Sequence, residues 1–122
     1  IIFYAFHNQK PPLLCIYCMY VIYIVSPEFK NAGNKLIMLT PIYDENGLPK
    51  TDSLLKIFSK VTSILRSGKA VSAYTPTMGG VAEAVMKMAF GNGLGVKIEH
   101  NFDPRDAFAP GFGCIVAEVP AE

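Results

Sequence analysis

Apolar positions recur along this chain with two different periods, and the change of period marks out the elements. Residues 35–40, KLIMLT, form a short apolar run stopped by Pro41, the pattern of a buried strand. Residues 43–49, YDENGLP, are rich in turn formers and read as a loop. Beyond them Leu54, Phe58, Val61 and Leu65 recur at helical spacing, with Asp52 or Ser53 placed to cap the helix and Gly68 to stop it. A second strand is expected over residues 70–74. A second helix follows over residues 79–90, where Val81, Val85 and Met88 make an apolar stripe that Ala84 and Ala89 widen. Glu83 and Lys87 fall one turn apart on its wet side, and Gly91 ends it. Val96 and Ile98 alternate with Lys97 and Glu99, which predicts a strand over residues 95–100 with one exposed face. A loop over residues 101–113 leads to a last apolar strand at 114–119. Upstream, Ser26-Pro27-Glu28 has the form of a helical turn, with a capping serine, a proline at the first position and Gly33 as its stop. The order strand, helix, strand, helix, strand, strand predicts an α+β (layered α/β) fold, a mixed sheet with helices packed on it.

The first 25 residues break this pattern. Residues 13–25, LLCIYCMYVIYIV, are unbroken apolar, yet shorter than the roughly 18 to 20 residues that cross a bilayer. Asn8, Gln9, Lys10, Pro11 and Pro12 stand in front and bar any extension. A secretory signal would need a basic start and a small-residue cleavage site, and neither is present. The Tyr, Ile and Val content suits a buried strand; a membrane-associated segment, or a stretch foreign to the domain, are the alternative readings. Left exposed, the run would be an association surface through which copies of the chain form a homo-oligomer.

Composition narrows the classes. A chain of 122 residues that is 51% hydrophobic holds one core, so we divide it into an apolar segment, residues 1–25, and a single domain, residues 26–122. Eleven basic side chains nearly balance ten acidic ones, which leaves no basic field for nucleic acid or an acidic membrane. Three cysteines do not make a disulfide framework of the secreted kind, which fits a reducing compartment and a cytoplasmic protein. Cys15 and Cys18 have redox or half-zinc spacing but lack a second pair, and His7 and Cys114 lie far off in sequence. His100, Asp103 and Asp106 carry cation-binding atoms, though Pro104 and Arg105 make a self-paired turn the stronger reading. Gly91-Asn-Gly-Leu-Gly95 follows a helix and reads as a turn, and Met86 and Met88 read as core filler.

Thr77-Met-Gly79-Gly80 stands where the second strand hands over to the second helix. One reading of the glycine pair is a tight turn with close helix-to-sheet packing. The other is an anion site, because a helix N-terminus presents unpaired N–H groups that glycine leaves uncovered.

Several spaced blocks, Ser26-Pro-Glu-Phe-Lys, Ala32-Gly-Asn-Lys-Leu, Tyr43-Asp-Glu-Asn-Gly-Leu-Pro, Gly79-Gly-Val-Ala-Glu-Ala and Met88-Ala-Phe-Gly-Asn, together resemble phosphoribosylformylglycinamidine synthase. More narrowly they are similar to the C-terminal domain of its aminoimidazole-ribonucleotide-synthetase-like module, from about residue 25 to residue 119. The resemblance implies an ATP-dependent ligase of purine biosynthesis that amidates formylglycinamide ribonucleotide with nitrogen from glutamine. It implies ATP and Mg2+ as cofactors, with ligands mostly on a complementary ATP-binding domain, and a glutaminase domain or subunit as a further partner. The present chain then reads as a truncated fragment that covers the substrate cleft, holds no cofactor by itself and contributes no catalytic acid or base. Carried over by position, Thr77, Gly79 and Gly80 match the family's substrate-phosphate turn; where many relatives have an acidic residue or a third glycine, this chain has Thr75 and Met78. The aminoimidazole ribonucleotide, selenophosphate and thiamine-phosphate enzymes would share that turn, and a stand-alone, non-enzymatic anion-binding or oligomerisation module is the rival of another kind.

Overall fold

The computed structural model describes residues 25–98 and 103–121. The strand expected within residues 13–25 therefore lies outside the described residues, apart from Val25. So do His7, Cys15, Cys18 and His100.

Six elements follow in the order β1 (Lys35–Leu39), α1 (Thr51–Arg66), β2 (Ser72–Tyr74), α2 (Gly80–Phe90), α3 (Pro104–Phe108) and β3 (Ile115–Val119). The strands form one sheet in the order β1-β3-β2, with Ile37 and Ala73 both opposite Ala117. Both pairings are antiparallel, so the sheet described is antiparallel where a mixed one was expected. The class is α+β. Among the described residues no helix is long and apolar enough to cross a membrane.

β3 is central and covered on both faces, which explains why it reads as a continuous apolar run. Its Ile115 and Ala117 join Ile57, Val61, Ala70 and Ala73 in a core under α1. Its Val116 joins Phe29, Ala84 and Met88 in a second core under α2. Two helices thus sandwich a small sheet, each burying one stripe.

α1 begins at Thr51 without a side-chain cap, because Ser53 Oγ instead accepts the Ile42 amide at 3.0 Å. Its buried stripe centres on Ile57 and Val61, while Phe58, expected inside, is 47% exposed. The helix ends as expected before Gly68, whose φ of 70° suits a residue without a side chain. Of the two methionines expected as filler on α2, Met88 is fully buried and Met86 is half exposed.

Three expectations fail. Residues 95–98 form no strand. The 101–113 loop contains α3, whose N-cap Asp103 accepts the Arg105 amide at 2.8 Å. Residues 26–28 form no helical turn: Ser26 Oγ donates to Glu28 at 2.6 Å and Phe29 N donates to Met88 O at 2.9 Å. A tertiary bond to α2 therefore takes the amide that a local helix would have used.

Candidate functional site

The strand-to-helix turn brings Thr77, Gly79 and Gly80 together, and a fourth residue organises them. Glu83, one turn into α2, reaches back so that its Oε2 accepts the Thr77 hydroxyl at 2.7 Å and the Gly79 amide at 2.9 Å. Its Oε1 accepts Lys87 Nζ from the next turn at 2.5 Å. Three donors of different kinds, a hydroxyl, a backbone N–H and an ammonium, thus converge on one carboxylate. The Glu83 carboxyl is held down to about 2, first by Lys87, then by the Thr77 hydroxyl and the Gly79 amide. Lys87 is raised in turn, chiefly by Glu83, and its ammonium also stands 5.7 Å above the Tyr74 ring.

Gly80 is required by packing. It has φ +65°, and a Cβ there would lie 2.3 Å from Ala109 O and 2.6 Å from Ala107 O. Those carbonyls belong to α3 and the residue after it, so the missing side chain is what lets α3 close over the start of α2. The Gly80 amide donates to Thr77 O at 3.2 Å, and Gly111 N donates to the same carbonyl at 3.3 Å. Gly79 leaves room for Glu83, since a Cβ there would lie 2.7 Å from Glu83 Cβ. Met78, placed by the sequence where it might fill the approach, points outward and is 69% exposed. Of the three residues expected to meet a ligand, Thr77 and Gly79 now meet Glu83, and Gly80 meets its own chain.

Sequence reasoning recognised Glu83 only as half of a surface pair. A capping box joins the N-cap residue to the side chain three positions on. Here the N-cap is Gly79 and the acceptor sits four positions on, so the familiar spacing does not flag it.

A second polar centre lies at the other end of the sheet. Glu118, 2% exposed, accepts Lys30 N and Ser72 Oγ on one oxygen, both at 2.8 Å. Its other oxygen accepts Asn34 Nδ2 at 2.7 Å and Asn31 N at 3.2 Å. Burial pushes this carboxyl up, but the four donors outweigh it and hold it below its ordinary value. Such full satisfaction marks a tie within the fold. Lys30 and Asn34 belong to two of the blocks that carry the resemblance, so the buried acid joins those blocks to β3.

The remaining candidates resolve into local structure. Cys114 is buried, with its thiol 3.3 Å from the Tyr43 hydroxyl, and that hydroxyl also donates to Phe112 O at 3.0 Å. Burial first, then the thiol, pushes Tyr43 up to about 12. Asp103 pairs with Arg105 at 2.9 Å while capping α3. Among the described residues no group of three or more His, Cys, Asp or Glu side chains is arranged to hold a metal ion.

No family model matches the chain, and searches of curated proteins and of solved structures return no match.

Proposed function

We propose that this chain is the cleft-covering, C-terminal domain of the aminoimidazole-ribonucleotide-synthetase-like module of phosphoribosylformylglycinamidine synthase, working in the cytoplasm. In the assembled enzyme ATP activates the amide oxygen of formylglycinamide ribonucleotide as an iminophosphate, and ammonia from the glutaminase displaces phosphate. ATP and Mg2+ are held mainly by the complementary domain. The share of this domain is orientation and charge neutralisation at the substrate's phosphate, which supply rate by positioning.

The observation that carries the reading is the convergence of Thr77 Oγ1, Gly79 N and Lys87 Nζ on a single carboxylate. Donors that already hold one oxyanion in a fixed geometry suit another of similar size and greater charge. Glu83 occupies the cradle in the free domain, and the substrate phosphate replaces it on binding. The cost of displacing Glu83 makes the free site weak and favours the doubly charged phosphate over a carboxylate.

The test is a titration with formylglycinamide ribonucleotide, and separately with sulfate, while the amide resonances of Gly79 and Gly80 are followed. The expected result is a saturable shift at Gly79, with tighter binding in a Glu83→Gln variant because the internal competitor has lost its charge. Unmoved resonances at saturating ligand in both proteins would remove the site.

A further inference from the structure

α1 does not cover all of its face of the sheet. Between Phe58, Thr62 and Leu65 on the helix and Ala73, Tyr74 and Thr75 along β2 lies an open groove of about 350 Å³. An aromatic ring such as Phe58 gains much from being covered, and here it is nearly half exposed. Among the described residues β2 pairs with β3 alone, so its outer edge presents backbone donors and acceptors along Ser-Ala-Tyr, a stretch with no charge to discourage a further strand. The opposite edge of the sheet differs, because β1 carries Lys35, a residue that deters pairing.

The chain itself carries an occupant of the right chemistry. Residues 13–24 are apolar without interruption and rich in Tyr and Ile. Such a run suits a strand covered on both faces, whereas a strand with one wet face alternates. The edge of β2 offers that environment, with Phe58 and Leu65 of α1 on one side and Val81 and Val85 of α2, gathered around Tyr74, on the other. Reach is sufficient. The described chain begins at Val25, close to Glu28 and Phe29, which pack on Gly91 and bond to Met88 at the C-terminal end of α2. Twelve extended residues span about 40 Å, several times the length of β2.

We propose that residues 13–24 of the same chain lie along the outer edge of β2 and fill the groove beside α1. This inference is independent of the function proposed above.

Cys15 and Cys18 make it testable in the full chain. A Thr62→Cys variant places a thiol in the groove wall at an exposed position, and Cys114, 4% exposed, is shielded from reaction. Under mild oxidation the expected product is a disulfide within one chain, joining position 62 to Cys15 or Cys18. Peptide mass mapping identifies it, and its yield is independent of protein concentration. A Lys56→Cys variant, exposed and outside the groove, should form at most a tenth as much. Equal yields from the two positions, or none from position 62, would overturn the assignment. So would links between chains that rise with concentration, which would give the groove to a second copy.

Discussion

Two residues show how one position can decide a larger feature. At Gly80 an added methyl meets backbone carbonyls that cannot swing aside, and the φ of +65° is itself unfavourable for alanine. Gly80→Ala should therefore cost about 2 kcal/mol or more, with α3 released from the start of α2. Urea unfolding measures the loss, and faster hydrogen exchange at Ala107 and Ala109 locates it. Glu118 acts through its hydrogen bonds. In Glu118→Gln the introduced NH2 faces donors instead of receiving them, leaving two of the four without an acceptor; the expected cost is about 2 to 4 kcal/mol. For a domain of this size that lowers Tm by roughly 10 °C or more. A Glu118→Gln protein as stable as the parent would mean that the segment holding Lys30, Asn31 and Asn34 is not anchored there.

At the scale of elements, α1 tests how far a periodic sequence fixes a buried face. Leu54, Phe58, Val61 and Leu65 fit one stripe, but Ile57 and Ile64 offer a rival stripe rotated by about a third of a turn, and the packing takes that one. Ile57→Ala should thus cost about 3 kcal/mol, whereas Leu55→Ala, at a position 58% exposed, should change stability by less than about 0.5 kcal/mol. Paired urea melts check the contrast. β1, β2, β3, α1 and α2 were legible because runs and stripes of apolar residues identify them. α3 was missed although Asp103 before Pro104 is a helix start, because five residues are too few for periodicity to emerge. Residues 26–28 carried the same signature and form no helix, since Phe29 bonds across to α2. A cap signal specifies where a helix can begin, and tertiary partners decide whether it does. The glycine turn was legible in the same partial way: its place at the head of α2 was plain, but the identity of the acid filling it depends on how Glu83 folds back.

Across the whole molecule, acid should distinguish local charge pairs from the one that spans the fold. Lys30 holds Glu28 down to about 2, and Lys87 holds Glu83 down to about 2. Arg105 lowers Asp103, and Glu118 is lowered by its four donors against the push of burial. Each carboxyl is therefore harder to protonate in the folded chain than in the unfolded one. As pH falls below about 4.5 the unfolded state takes up these protons first, so stability declines steadily toward pH 2; these groups add no slope above about pH 5. The Glu28, Glu83 and Asp103 pairs each join residues within one turn or loop at the surface, where salt screens them. Glu118 joins β3, β2 and residues 30–34, and its partners are neutral amides and a hydroxyl that salt barely affects. Urea midpoints measured from pH 7 to pH 2 should accordingly fall with acid in low salt, and 1 M NaCl should flatten part of that fall. The remainder should vanish in Glu118→Gln, whose midpoint is lower at neutral pH but less dependent on pH. An acid slope unchanged by that substitution would place the pH-sensitive tie elsewhere, and a midpoint that rises between pH 5 and pH 3 would reverse the sign argued for all four carboxyls.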